Sequence, residues 1–203
     1  MIPKRIIYCW FGDKELPSEV LACIMTWGIN EGWELLRIDE TNFDINYNEY
    51  VKEAYRLKKF AFVSDVARLW ALYNYGGIYL DTDVIVYKPL DKFLKYDFFT
   101  GFEQYNYPVT ATMGAKKGDG LIKEMLQVYD TKKFEVKDKW EDYETNTMIM
   151  SDIIGKYFDR KSMKYQEKDN RAIFPKEVFC NSGNEEERYT EHLMFGMWGL
   201  DKE

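Results

Sequence analysis

The sequence predicts an α/β fold with parallel strands, in a single domain of residues 1–203, and three observations predict it. The chain opens with a strand, a helix and a second strand, an order typical of parallel sheets flanked by helices. Farther on, a long helical pattern leads through a glycine pair into another apolar strand. The 203 residues, 46% hydrophobic and 17% aromatic, are enough for one full core, which excludes global disorder.

The first three elements follow from apolar runs and helical spacing. Residues 6–11 form a short apolar run closed by Gly12, which predicts a buried strand that ends in a loop. Pro17 precedes a stretch beginning at Ser18 whose apolar side chains recur at helical spacing, which predicts a helix. Residues 33–39 (WELLRID) predict the second strand.

The centre of the chain carries the strongest pattern. A helix is predicted over residues 50–75, broken at 58–59 and stopped by Gly76–Gly77. The following apolar segment, residues 78–86, predicts a strand that contains the acidic sequence Asp81-Thr82-Asp83. Further strands are predicted at residues 98–102 and 109–115, and further helices at residues 121–129 and 147–157.

Asp81 and Asp83 are the first candidate site residues. A D-x-D pattern is expected about once by chance in such a chain, so its context has to supply the specificity. Residues two apart in a strand share a face with Cα atoms about 6.6 Å apart, a spacing at which two carboxylates can bracket one divalent cation. The alternative is an exposed strand end, but apolar runs flank both sides, and buried acids without a counterion are costly.

The helix before this strand contains a second polar group. Asp65 and Arg68 stand three residues apart, so they share a helix face and can pair with each other or jointly hold a polar ligand. Ser64 lies beside them. An ordinary surface ion pair is the alternative interpretation.

Trp10 and His192 are candidates for different reasons. Trp10 ends the first strand, where open α/β sheets bind ligands, and its indole can stack on a nucleotide base; a core tryptophan is the alternative. His192 is the single histidine in the sequence, which excludes polyhistidine zinc sites and leaves an ordinary structural histidine as its alternative.

Composition narrows the partners and the compartment. The chain has 28 Lys and Arg against 35 Asp and Glu, a formal net charge of −7, which argues against a nucleic-acid partner. Cys9, Cys23 and Cys180 form no C-x-x-C pair and are predicted to be core thiols in a reducing compartment. With no long apolar run and no signal-peptide pattern at residues 1–12, a cytoplasmic protein is expected, with association at the inner face of a membrane still open.

Three segments together resemble one family. Residues 2–12 (IPKRIIYCWFG), residues 62–84 (FVSDVARLWALYNYGGIYLDTDV) and the tail at residues 192–198 resemble, in that order, glycosyltransferase family 32. This DXD family includes capsular-polysaccharide enzymes and is related to glucosylating toxins. The resemblance implies a GT-A fold, that is, a Rossmann-like open mixed sheet flanked by helices, with a nucleotide-sugar donor and a Mn²⁺ or Mg²⁺ ion.

The resemblance also implies roles for the candidate residues. Trp10 would stack on the donor base, Ser64, Asp65 and Arg68 would contact the donor at its ribose or sugar, and Asp81 would lie near both. Asp83 would ligate the metal, with Asp81 beside it, and His192 would complete the metal site. Asp81, Asp83 and Arg68 would carry catalysis, and residues 145–146 (Thr-Asn) would contact the acceptor.

The implied activity is retaining transfer of a hexose, from a UDP sugar by preference, to a glycan or lipid-linked saccharide in surface polysaccharide synthesis. One alternative is a catalytically silent GT-A domain that binds sugar nucleotide or glycan, since Leu193 and Met197 stand where members often have His and Ser. A phosphotransferase with Asp81 as nucleophile is a second alternative, but such enzymes usually continue with threonine, whereas Val84 follows the acidic pair here.

Overall fold

The fold was analysed in a computed structural model, which describes residues 1–103, 106–139, 143–180 and 185–195. The strands are β1 (Arg5–Cys9), β2 (Glu34–Ile38), β3 (Gly77–Leu80), β4 (Val84–Val86), β5 (Phe98–Gly101), β6 (Thr112–Ala115), β7 (Gln166–Lys168), β8 (Arg171–Phe174) and β9 (Thr190–His192). The helices are α1 (Ser18–Thr26), α2 (Glu49–Arg56), α3 (Phe60–Tyr75), α4 (Gly120–Gln127), α5 (Asn146–Ile154) and α6 (Lys176–Phe179).

Seven strands form the main sheet, in the order β2-β1-β3-β6-β5-β8-β7. β1 pairs in parallel with both β2 and β3, which confirms the predicted strand-helix-strand opening. β6 runs antiparallel to its neighbours β3 and β5, and β5 is parallel to β8, so the sheet is mixed. The carboxyl ends of β1, β3, β5 and β8 therefore meet at one edge, where sheets of this kind bind ligands.

Alternation along β1 divides the core into two layers. Ile7 and Cys9 face one apolar cluster, which α2, α3, α4 and α5 cover. Ile6 and Tyr8 face a second cluster on the other side of the sheet, beneath α1 and α6. Because both faces are covered, β1 is buried from Ile6 to Cys9 and β3 is buried at every position.

The predicted helical stretch over residues 50–75 is confirmed as two helices, α2 and α3, with the break where it was expected. Gly76 ends α3 with φ 69°, and Gly77 starts β3 with φ 141°, both in the region that favours glycine. A Cβ atom on Gly77 would lie 2.8 Å from the Arg5 carbonyl oxygen. The glycine pair thus lets β3 lie directly against β1.

The prediction for the acidic sequence was wrong in one respect. Residues 81–83 form a turn between β3 and β4 and are not part of a strand. β4 leaves the main sheet and pairs antiparallel with β9, forming a separate two-stranded ribbon. The apolar runs on both sides therefore belong to two different sheets, and the turn between them is polar because it lies at the sheet edge.

Sequence patterns missed β7, β8, α6 and β9. These elements are three or four residues long, and β7 has no buried residue, so neither alternation nor helical spacing distinguishes them. The three cysteines are free and buried, as predicted. Among the described residues, every helix is too short or too polar to cross a bilayer. Met197 and Trp198 of the tail lie outside the described residues.

Candidate active site

The carboxyl edge of the sheet opens into a cavity of about 300 Å³. The loop after β1, the connection between α2 and α3, the turn after β3 and the end of β9 line it. Six of the seven predicted site residues contribute directly to its wall, and the seventh, Asp65, is paired with one of them. The lining residues among them are Trp10, Ser64, Arg68, Asp81, Asp83 and His192.

Arg68 is the central cation of the site. Its side chain is 2% exposed, with Nη2 3.0 Å from Asp65 Oδ1 and Nη1 3.2 Å from Asp81 Oδ1. Nη1 also donates to the Thr110 carbonyl oxygen at 3.1 Å. Burial alone would lower the pKa of Arg68, but Asp81, Tyr79 and Asp65 together raise it above its ordinary value, so the charge is fixed. The alternative of a surface ion pair is excluded by this burial.

Asp65 is 1% exposed, and burial raises its pKa to about 7 although Arg68 opposes the shift. Within the described part of the chain, neither carboxylate oxygen has a well-aligned hydrogen bond beyond the Arg68 ion pair. Asn146, 2% exposed, likewise has an Nδ2 without a partner there, while its Oδ1 accepts from Tyr129 Oη at 3.2 Å. The charge of Asp65 acts on Tyr129 as well, so both unsatisfied groups belong to one buried polar region.

Tyr79 was missed by the sequence analysis. Its hydroxyl donates to Asp81 Oδ1 at 2.7 Å, and its ring centroid lies 4.6 Å from Arg68 Cζ. The ring therefore supports the guanidinium while the hydroxyl orients the carboxylate. A tyrosine in a strand buried at every position needs a partner for its hydroxyl, and this signal could have indicated Tyr79 in advance.

Asp83 and His192 meet because β4 and β9 pair in register, with Val84 opposite His192. His192 Nε2 lies 3.3 Å from Asp83 Oδ1, and the Phe195 N–H donates to Oδ2 at 3.0 Å. Ligand atoms of Asp81, Asp83 and His192 all lie within 4.8 Å of one another. The structure thus brings together the three residues expected to hold a metal.

Asp83 and His192 each shift the pKa of the other toward the charged form. Burial opposes the charged form of both, yet His192 and the Phe195 N–H hold the pKa of Asp83 below its ordinary value. For His192, burial lowers the pKa, but Asp83 and Asp81 outweigh it and raise the pKa above its ordinary value. Nδ1 of His192 is buried without a partner among the described residues.

The other side of the cavity has aromatic and basic character. Trp10 is half-buried, and its Nε1 donates to the Lys14 carbonyl oxygen at 2.8 Å, which fixes the indole in the wall. Ser64 Oγ donates to the Phe60 carbonyl oxygen within α3. Three lysines also line this side of the cavity, at positions 14, 58 and 59. The sequence analysis did not identify them, because isolated lysines form no motif.

Comparisons with known proteins agree with this geometry. Residues 13–100 match the family described as the glycosyltransferase sugar-binding region containing DXD motif. An uncharacterized glycosyltransferase of Acanthamoeba polyphaga mimivirus is 36% identical over 109 residues, which is 49% of this chain and 42% of the relative. Inositol phosphoceramide mannosyltransferase 1 of Schizosaccharomyces pombe is 30% identical over 102 residues, 44% of this chain and 31% of the relative. The chain thus spans less than half the length of these curated relatives.

Two solved structures share the fold. A glycosyltransferase involved in the glycosylation of the major capsid of PBCV-1 superposes with a TM-score of 0.54 at 11% identity, over 95% of this chain and 94% of that one. The PaToxG glycosyltransferase superposes with a TM-score of 0.51 at 18% identity, over 62% of this chain and 59% of that one.

The chain thus has the mixed α/β fold of GT-A type, which these two glycosyltransferase structures share. The residues that match the DXD-motif sugar-binding model, 13–100, include the acidic turn and the buried Arg68.

Proposed function

We propose that the chain is a metal-dependent, retaining glycosyltransferase that transfers a hexose from a nucleotide-diphosphate sugar, UDP-linked by preference, to a glycan or lipid-linked saccharide. One observation carries this proposal. Asp81, Asp83 and His192 converge beside a buried, fixed positive charge at a cavity large enough for a ligand. Asp83 pairs with His192 and Asp81 with Arg68, and their convergence at the cavity is the arrangement that an ion with an anionic ligand requires.

The residues that line the cavity offer groups suited to a nucleotide-sugar donor. The Trp10 indole offers a face for stacking the base, and Ser64 and the three lysines stand around the nucleoside side. Asp65 and Asn146 do not line the cavity and are 1% and 2% exposed, so Asp65 would act on the donor through its ion pair with Arg68. Arg68 then lies between the two halves of the donor.

The side chains present suit a divalent metal. Asp81 and Asp83 supply oxygen ligands and His192 supplies imidazole, a set suited to Mn²⁺ and, through its carboxylates, to Mg²⁺. His192 carries a raised pKa beside Asp83, and coordination requires that it lose its proton. Such an ion, when bound, stabilises negative charge that develops on the leaving diphosphate.

Two residues, Arg68 and Tyr79, would stabilise the leaving group and orient the carboxylate of Asp81. Arg68 holds a positive charge at a fixed place because Asp65, Asp81 and the Thr110 carbonyl oxygen all bind it. A charge that needs no reorganisation stabilises developing negative charge effectively. Tyr79 keeps the Asp81 carboxylate oriented.

For the acceptor, we propose a chemical class, and for the location, a cellular compartment. One relative is named for mannosyl transfer to inositol phosphoceramide, a lipid, and one structural neighbour for capsid glycosylation. These names support a glycan or lipid-linked acceptor, as in surface or capsular polysaccharide synthesis. We propose a cytoplasmic location, where a lipid-linked acceptor would be met at the inner face of the membrane.

A panel of nucleotide sugars with and without Mn²⁺ tests the proposal, first by thermal shift and then by release of nucleotide diphosphate. A ligand at a hundredfold excess over its Kd stabilises the fold by about 2.7 kcal/mol. Metal-dependent stabilisation and release by one of the sugars are expected. If a nucleotide sugar stabilises the fold but no nucleotide diphosphate is released with any saccharide acceptor, the chain is a catalytically silent domain. If no nucleotide sugar stabilises the fold, the proposal is refuted.

A further inference from the structure

The loop after β1 forms the wall of the cavity around Trp10. Trp10, Phe11 and Lys14 of this loop line the cavity, although residues 10–17, all of which the structure describes, form neither a strand nor a helix. The Trp10 N–H still donates to the Ile38 carbonyl oxygen at 3.0 Å, so its backbone continues the sheet. Its indole, by contrast, donates to the Lys14 carbonyl oxygen at 2.8 Å. The position of the ring therefore depends on where the loop lies.

Glu40 holds this loop from outside the cavity. Its Oε1 accepts from the Gly12 N–H at 2.7 Å and from Tyr55 Oη at 3.0 Å. One carboxylate oxygen thus joins the loop after β1 to α2, on which Tyr55 lies. Hydrogen bonds to a carboxylate are about twice as strong as those between neutral groups. The loop is therefore tied firmly at Gly12, midway between Trp10 and Lys14.

The turn that carries Glu40 is itself braced. Glu40 follows β2 by two residues, and next to it Asp39 Oδ1 accepts from the Thr41 N–H at 2.9 Å. The Asn42 side chain closes the same turn, since its Oδ1 accepts from the Asp39 N–H at 3.0 Å and its Nδ2 donates to the Arg37 carbonyl oxygen at 2.7 Å. Asp and Asn side chains stabilise turns by such bonds to nearby backbone. Glu40 thus presents its carboxylate from a fixed backbone.

Gly12 also fits closely against the connection between α2 and α3. Its φ is 87°, in the region that favours glycine, and a Cβ atom there would lie 2.6 Å from Phe60 Cε2. The Phe60 ring lines the cavity and packs against the Tyr55 ring, with centroids 5.5 Å apart. Together with Glu40, these residues form a ring of contacts, two by hydrogen bonds and two by packing.

On the proposed function, the wall formed by this loop receives the nucleoside of the donor. Glu40 and Tyr55 do not line the cavity themselves, so they act on the donor only through the loop. We propose that both are positioning residues, which hold the loop after β1 in the shape that presents the Trp10 indole before the donor binds. A loop that adopts its binding shape for only part of the time lowers the affinity in proportion to that fraction.

The test compares Glu40→Ala and Tyr55→Phe, which remove the hydrogen-bonding groups, with Glu40→Gln, which keeps an oxygen able to accept both bonds. Glu31→Ala is the matched control, because Glu31 is exposed in the turn before β2. Calorimetry in the presence of Mn²⁺ gives the Kd of UDP, of GDP and of pyrophosphate, which resembles the diphosphate of the donor but has no base to stack. If the freed loop is correctly placed one tenth of the time, Glu40→Ala should weaken binding of the preferred nucleotide about tenfold. Tyr55→Phe should weaken it less, because the bond from Gly12 to Glu40 remains.

Pyrophosphate affinity should stay close to that of the parent in every variant, since the charged groups around Asp81 and Arg68 are untouched. Glu40→Gln and Glu31→Ala should bind the nucleotide as the parent does. An equal loss of nucleotide and pyrophosphate affinity would indicate a general structural role and would overturn the assignment. Unchanged nucleotide affinity in Glu40→Ala, or a Glu40→Gln variant as weak as Glu40→Ala, would overturn it too. A parent protein that binds neither nucleotide would instead refute the proposed function, on which this assignment depends.

Discussion

Arg68 shows how a single side chain connects the parts of the site. Its guanidinium reaches Asp65 on its own helix, Asp81 after the next strand and the Thr110 carbonyl oxygen before β6. Lysine offers one compact charge on a flexible stem and cannot match this planar arrangement of donors. The residues that Arg68 joins thus depend on one another, so their substitutions will not be additive.

Asp83→Asn is expected to abolish transfer while the fold stays intact. The change removes one negative charge from the ligand set, but it keeps the side-chain shape and an oxygen able to accept from the Phe195 N–H. Activity at saturating Mn²⁺ and melting temperature without metal are the two measurements. Activity within a few-fold of the parent would contradict the assignment of Asp83 as a ligand.

Trp10→Ala should weaken donor binding by about 1 to 3 kcal/mol if the indole stacks on the base. Trp10 also contacts the apolar cluster beneath α1, so Trp10→Phe serves as the control that keeps an aromatic face but loses the bond to Lys14. The dissociation constant of UDP, determined for both variants, decides the question. If both variants melt earlier but bind UDP as the parent does, Trp10 is a core residue.

Asp65→Asn should change stability in a pH-dependent way. The pKa of Asp65 rises from about 3.9 in the unfolded chain to about 7 in the fold, chiefly through burial. A raised pKa stabilises the fold fully below the unfolded value, and this contribution is lost as pH rises through the folded value. The difference in melting temperature should therefore move in favour of Asp65→Asn between pH 4 and 7. A difference independent of pH would show that Asp65 stays ionised throughout.

At the scale of elements, the connection between α3 and β3 tolerates substitution least, because of its positive φ angles and close backbone contacts. Gly77→Ala would combine an unfavourable φ with a contact of 2.8 Å to the Arg5 carbonyl oxygen, and each effect costs about 1 to 3 kcal/mol. We expect a loss of about 2 to 5 kcal/mol in the free energy of unfolding. Gly28→Ala is the matched control, because a Cβ atom added at Gly28 would meet no atom within 4 Å. Equal stability of the two variants in urea unfolding would contradict this account.

The ribbon of β4 and β9 is attached to the sheet through Thr190. The Thr190 hydroxyl donates to the Phe179 carbonyl oxygen at 2.8 Å and lies 3.2 Å from Thr112 Oγ1, and Thr190 is fully buried. Thr190→Val keeps the shape but leaves a buried acceptor unsatisfied, a cost of about 1 to 3 kcal/mol. Because His192 follows two residues later, the Mn²⁺ concentration for half-maximal activity should rise as well. A stability loss with an unchanged Mn²⁺ requirement would show that β9 keeps its position without these bonds.

At the scale of the whole molecule, the proposed donor site lies at the half of the sheet formed by β2, β1 and β3, and β6, β5, β8 and β7 form the other half. Binding of UDP with Mn²⁺ should slow amide hydrogen exchange in the loop after β1, at the start of α3 and in β9, all of which line the cavity. β7 and β8 should exchange as before, because they lie at the far end of the sheet. Uniform protection throughout the chain would contradict a site confined to this edge.

Much of this molecule could be predicted from its sequence. Long apolar patterns gave β1, α1, β2, α3 and β3, and a family resemblance gave the candidate residues that line the cavity. The turn at residues 81–83 could not be foreseen, because a change of sheet between β3 and β4 leaves the apolar pattern unchanged. Tyr79 matters through its contact with Arg68 on the preceding helix, and hydrophobic periodicity does not indicate such contacts.

The ribbon has a consequence for the order in which the protein is made. Asp83 is translated 109 residues before His192, yet ligand atoms of Asp81, Asp83 and His192 lie within 4.8 Å of one another in the fold. A nascent chain on the ribosome can therefore close β1 against β3 early, but it cannot complete the ligand set until β9 has emerged and paired with β4. On the proposed function, synthesis itself would therefore delay the capture of a metal ion until β9 has paired with β4.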